Sequence, residues 1–163
     1  KETIIKKGRE WAKSNIYSVR KNQRDYMRRE LKKYPLFYRI KGNINSALRA
    51  YNIRKVKSIK RYNIFIDKIV KHLTKEAKIL GYRYEEMKDY FHIDHILPVS
   101  YYNLTDQEDI ARCWNFLNLR WLPIKENISR GNKLRPEDIE IIKTLPKEIY
   151  PKSWKGKIPK ETQ

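Results

Sequence analysis

Apolar side chains recur every three to four residues through the first half of the chain and at every second residue near position 93. This pattern predicts helices first and a small sheet later. Residues 2–33 lack proline and carry apolar or aromatic side chains at Ile4, Ile5, Trp11, Ile16, Tyr17, Val19, Tyr26, Met27 and Leu31. They predict a helical region ended by Pro35, which removes a donor and disfavours helix at the residue before it. Leu36, Ile40, Ile44, Ala47 and Leu48 share one face of a second helix over 36–50. After a basic connector at 54–61, Ile64, Phe65, Ile69, Leu73, Ala77 and Leu80 predict another helix, stopped by Gly81. His72 on that helix reads as an ordinary surface or half-buried histidine, and Tyr82, Tyr84, Tyr90 and Phe91 as cover for the core.

From Phe91 the period changes to two, and Pro98 ends the run, as for a short strand. A second strand fits 117–124, ending near Pro123. Between them Thr105, with Glu108 three residues on, has the form of a capping box and predicts a small inserted helix holding Cys113 and Trp114 as core residues. A short helix at 125–130 follows, broken at Gly131. Pro136, Glu137 and Asp138 open a last helix. Beyond Pro146 a Lys- and Pro-rich tail has Trp154 as its anchor and is expected to be extended, lying on the core or on DNA. The fold class is therefore α+β, mainly helical, with a small two-stranded sheet and a basic N-terminal helical extension.

Charge changes the picture. The 163 residues carry 38 Lys and Arg against 19 Asp and Glu, a formal net charge of +19. Residues 1–61 hold 20 basic and 4 acidic residues, net +16, whereas residues 62–163 hold 18 and 15, net +3. Acids are too sparse in the first segment for i,i+4 pairs to relieve its repulsion, which points to a polyanion. Arg9, Lys13, Arg20, Lys21, Arg24, Arg28, Arg29, Arg39, Lys41, Arg49 and Arg54 are the expected nucleic-acid contacts. No apolar run approaches the roughly 20 residues of a membrane span, so a soluble intracellular protein is expected. The chain starts at Lys1 rather than Met, and a targeting signal ahead of it would be invisible. The single cysteine, Cys113, excludes internal disulfides and paired-cysteine structural zinc, so any metal would take O and N ligands.

The candidate chemistry lies between Phe91 and Lys133, where Asp94 and His95 are followed by Asn118, Asn127, Arg130 and Lys133. His95, with an ordinary pKa of about 6.5, can be neutral near pH 7 and accept a proton. Asp94 offers an anionic oxygen and Asn127 a neutral one, both suited to a hard divalent ion. His92 shares a strand face with Asp94, so it is a further candidate for metal or substrate, the plain alternative being packing.

Residues 93–100, then Asn118, then Asn127, Arg130, Gly131, Asn132 and Lys133 resemble an HNH endonuclease of the ββα-metal fold. The similarity is to the HNN variety of phage-encoded and intron-associated homing endonucleases and of the HNH domain of CRISPR-associated RNA-guided nucleases, over about 43 residues. It implies hydrolysis of DNA phosphodiesters with His95 as general base, Mg²⁺ held by Asp94 and Asn127, with Mn²⁺ substituting, and Asn118 holding the histidine across the loop. Arg130, with Lys133 as second choice, is the expected phosphate clamp.

The expected organisation is a DNA-binding region over 1–61, helical support over 62–90, a catalytic core over 91–135 and a C-terminal helix and tail over 136–163. Double-stranded DNA is the expected partner, and a homodimer or partner protein is compatible with the sequence. An inactive HNH-like binding module, or a nuclease acting on RNA or directed by a partner, is the alternative.

Overall fold

The computed structural model describes residues 2–50 and 59–158, so the connector around Arg54 lies outside the described residues. The chain divides into two compact units, residues 1–38 and 39–163. The first contains α1 (Glu2–Ser14) and α2 (Ile16–Lys33). A single helical region was the expectation; a break at Asn15 makes two helices of it. The Asn15 amide donates to the Trp11 carbonyl at 3.0 Å, and Ser14 Oγ donates to the same oxygen at 2.9 Å. Short polar side chains there compete with the backbone ladder and turn the chain. No described residue of α2 is buried, and Tyr17 is 87% exposed.

Helix α3 (Pro35–Ala50) begins with proline at its first position, where no donor is lost, and continues into the second unit. Its predicted face is buried at Leu36, Ile40, Ile44 and Leu48. The second unit continues with α4 (Ile66–Ile79), α5 (Tyr84–Tyr90), β1 (Phe91–His95), α6 (Gln107–Cys113), β2 (Leu119–Pro123), α7 (Ile124–Arg130) and α8 (Pro136–Thr144). The fold is α+β and mainly helical, with a small two-stranded antiparallel sheet. Register pairs His92 with Leu122, Ile93 with Trp121, Asp94 with Arg120 and His95 with Leu119.

Helix α4 buries Ile66, Ile69, Leu73 and Ala77 and packs on β2. Trp121 Nε1 donates to the Leu73 carbonyl at 2.8 Å, and His72 Nε2 lies 2.9 Å from the Leu119 carbonyl, which gives His72 a structural role. Phe65 and Leu80 depart from the expected core, at 58% and 48% exposure. Both are cap residues just beyond the helix ends, with Gly81 at φ 80° closing the element.

The inserted helix also starts differently from expectation. Asp106, not Thr105, is the N-cap of α6, accepting from the N–H groups of Glu108 and Asp109. Thr105 instead donates its N–H and hydroxyl to Asn103 Oδ1. The tail folds back in short turns rather than running extended: Ile149, Tyr150 and Trp154 are buried, and Tyr102 and Tyr150 hydroxyls donate to the Ile149 and Ile142 carbonyls. Among the described residues no helix is long and apolar enough to cross a membrane.

Candidate active site on a two-faced hairpin

Consecutive strand residues point to opposite faces, and β1 ends on two of the expected site residues. Asp94 therefore faces one side of the hairpin and His95 the other. On the Asp94 side stands α7, reached directly from β2 through Pro123. Arg130, at the end of α7, is 4% exposed; its Nη1 donates to Asp94 Oδ1 and Oδ2 at 2.8 and 2.6 Å and to the His95 carbonyl at 2.8 Å. Its Nη2 donates to the Ile96 carbonyl, and its Nε to Asp138 Oδ2 at 2.9 Å. Arg120, paired with Asp94 across the sheet, donates to Asp94 Oδ2 at 3.1 Å and to Asp138.

Two carboxylates and two guanidiniums thus form one inner network. Burial raises the Asp94 carboxyl above its ordinary range despite Arg130 and Arg120. Burial opposes ionisation of Asp138 as well, but Arg120, the Arg135 N–H and Arg130 outweigh it and hold that carboxyl below the usual range. The expectation that Arg130 clamps a phosphate does not match its placement, because its donors are bonded inside the protein. Lys133, the second choice, is exposed. Arg120 and Asp138 were not among the expected site residues. Arg120 had a signal, as a charge at the centre of a short apolar strand.

Asn127, one turn before Arg130 on α7, places its amide nitrogen 2.9 Å from His92 Nδ1. The structure therefore brings His92 to Asn127, while Asp94 on the same strand face meets Arg130. Among the described residues no three His, Cys, Asp or Glu side chains cluster as a metal-binding group, a set to which a carboxamide such as Asn127 does not belong.

On the opposite side His95 packs edge-on against Trp114, ring centroids 4.5 Å apart at 81°. His95 Nε2 and Trp114 Nε1 are both buried without a hydrogen-bond partner. Burial, with the Arg130 charge assisting, lowers the His95 pKa from 6.5 to about 3, so the imidazole is neutral throughout the physiological range.

Asn118 is fully buried at the entrance to β2. Its Oδ1 accepts from the Leu97 N–H at 2.8 Å, and its amide donates to the Leu97 and Cys113 carbonyls. Its own carbonyl accepts from the Ile96 N–H at 2.8 Å. It crosses the loop as expected but binds the backbone one and two residues beyond His95, not the ring.

Of the expected nucleic-acid contacts, Arg9, Lys13, Arg20, Lys21, Arg24, Arg28, Arg29, Lys41 and Arg49 are exposed. Arg39 differs: it is half-buried, its guanidinium lies 6.0 Å from the Trp121 ring centroid, and Nη1 is buried without a partner. Its place is inside the second unit.

A stretch of 62 residues is 37% identical to an uncharacterized protein of Acanthamoeba polyphaga mimivirus, covering 38% of this chain and 27% of that protein. The chain thus spans about a quarter of the length of the relative it matches. No family model matches. No solved structure matches either.

Proposed function

We propose that residues 91–133 form the core of an HNH endonuclease that hydrolyses DNA phosphodiester bonds, with residues 1–61 gripping the duplex. The observation that carries this reading is the order of parts: an antiparallel hairpin bearing Asp94 and His95, a loop cross-tied by Asn118, and a helix bearing Asn127 directly after the second strand. The basic, exposed surface of α1 and α2 supports a polyanionic substrate.

The donors on the α7 face fit a hard divalent ion in kind. Asp94 contributes a carboxylate, Asn127 a carboxamide and His92 an imidazole. In the free protein both Asp94 oxygens accept from Arg130 and one also from Arg120, so an ion at Asp94 would take the place of those donors. Asp94 and Asn127 would hold Mg²⁺, with His92 as a further ligand, and Mn²⁺ would substitute. A bound ion supplies charge stabilisation at the phosphate and the departing oxygen.

The rest falls to the chain's own side chains. His95 is the general base: it is neutral, and its unpartnered Nε2 is an open proton acceptor once uncovered from beside Trp114. Catalytic hydrogen bonds in a free enzyme commonly form only with substrate bound. Asn118 and Arg130 position, by fixing the backbone from the His95 carbonyl to Leu97. Lys133 and Lys125, both exposed, are left to meet phosphate.

A second reading, an HNH-like module that binds nucleic acid without cutting, is favoured by the burial of His95 Nε2. Supercoiled plasmid incubated with the protein and Mg²⁺, with and without EDTA, separates the two. Nicking that EDTA abolishes is the expected result; gel retardation with no nicking in Mg²⁺ or Mn²⁺ selects the binding module.

A further inference from the structure

A cleft of about 350 Å³ opens on the His95 side of the second unit, between the start of α4 and the end of α6. Its size is at the lower end of ligand-binding cavities, roughly 300–1,000 Å³. Phe65, Phe116 and Trp114 supply aromatic wall, Asn63 and Asn115 supply amides, and Lys68 stands at the rim with Nζ 4.9 Å from the Phe65 ring centroid.

Three observations mark it as a site for a planar polar ligand. Phe65 is 58% exposed, an aromatic ring left in water at the mouth of a cavity. Trp114 lends its ring to the wall, while its indole N–H is buried from solvent without an acceptor. The lining charges nearly cancel: Arg112 is bonded to Glu108 and to the Tyr150 carbonyl, and Glu148 faces the same cleft as Lys68. Such a lining disfavours a polyphosphate and suits a neutral heteroaromatic ring carrying acceptors.

We propose that this cleft receives a single nucleobase, unstacked from the nucleic acid bound at the core. The proposal rests on the nucleic-acid reading above and deepens it. Base–aromatic stacking tolerates any sequence; the Asn63 amide and the Asn115 –NH₂, whose Oδ1 already accepts from the Leu117 N–H, can meet a base edge. Trp114 is shared between the cleft and His95, so a base entering the cleft presses on the ring that packs edge-on against the candidate general base. Occupancy of the cleft and access to His95 Nε2 are thereby linked through one side chain.

The test uses the full chain and two probes, free 2-aminopurine riboside and DNA containing one internal 2-aminopurine in a bulge or gap. Bulged DNA should show at least a severalfold change in 2-aminopurine emission on binding, and free riboside should bind weakly with raised anisotropy. Phe65→Ala, at an exposed position, should reduce both signals fivefold or more and weaken binding of the bulged DNA, while affinity for fully paired DNA by filter binding changes less than twofold. Trp114→Phe, which keeps an aromatic side chain but shortens the wall, should weaken riboside binding while thermal unfolding stays cooperative. Binding of DNA with emission unaltered by Phe65→Ala overturns the proposal. Riboside binding without DNA binding keeps the cleft and sinks the nucleic-acid reading; loss of both removes both.

Discussion

On the α7 side of the β1–β2 hairpin, Asp94 is buried among Arg120, Arg130 and Asp138, with its charge met on the spot. On the other side, one residue along the same strand, His95 is half-buried beside Trp114, with Nε2 buried and nothing to bond it. The first arrangement is closed: both guanidiniums bridge the two carboxylates and Arg130 also donates to the His95 and Ile96 carbonyls, so the network fixes the backbone at the exit of β1. The second is open: a neutral imidazole and an indole N–H both lack partners, which costs stability and leaves hydrogen-bonding capacity for something absent from the free protein. A rigid frame beside an unsatisfied acceptor is the contrast expected where geometry is held for chemistry.

The frame can be broken most directly at Arg130. Arg130→Met takes from Asp94 and Asp138 a guanidinium that bonds both, leaving Arg120 and, for Asp138, Arg135, and removing one partner of a buried pair costs about 3–5 kcal/mol. Denaturant unfolding should show this loss, and the melting temperature should fall by roughly 10 °C or more. A loss below about 1 kcal/mol would mean that the network is not closed.

The open side predicts a pH effect. The folded His95 pKa is lowered to about 3, whereas the unfolded chain titrates near 6.5. The unfolded state therefore binds the proton more tightly; the stability is present above about pH 6.5 and is lost as pH falls toward 3, on the order of a few kcal/mol in all. In NMR the His95 ring signals should stay those of neutral imidazole down to pH 4, and a midpoint near 6 would contradict the burial.

Asn118 joins the two sides through the loop. Asn118→Ala strands the Leu97 N–H and the Leu97 and Cys113 carbonyls, and should cost about 2–3 kcal/mol by denaturant titration. Smallest is the effect of one exposed cation on the first unit. Arg24→Ala should leave stability within about 0.5 kcal/mol and lower the slope of log K against log salt by about 1 if Arg24 meets a phosphate.

The order of elements was legible because punctuation marks it: Pro35, Gly81, Pro98, Pro123 and Gly131 each fall at or near an element boundary. Period-two alternation likewise marked β1, and helical periodicity marked the buried face of α3. The break at Asn15 was not legible, because it depends on local side-chain bonds rather than on the apolar pattern. In the site, the residue types and the loop-crossing place of Asn118 were readable. The partners were not: Asp138 comes to Arg130 and Arg120 only through the packing of α8, and this takes Arg130 inward. Strand alternation already implied opposite faces for Asp94 and His95, and a linear motif conceals that.

The central claim is that the hairpin is a cutting site whose base is His95. It is tested most directly by plasmid nicking in Mg²⁺ with wild type and His95→Ala, alongside DNA affinity and melting temperature for both. The prediction is a loss of nicking of at least 100-fold with affinity within twofold and the fold intact. Equal nicking by the two proteins, or none by either at full DNA binding, would contradict it.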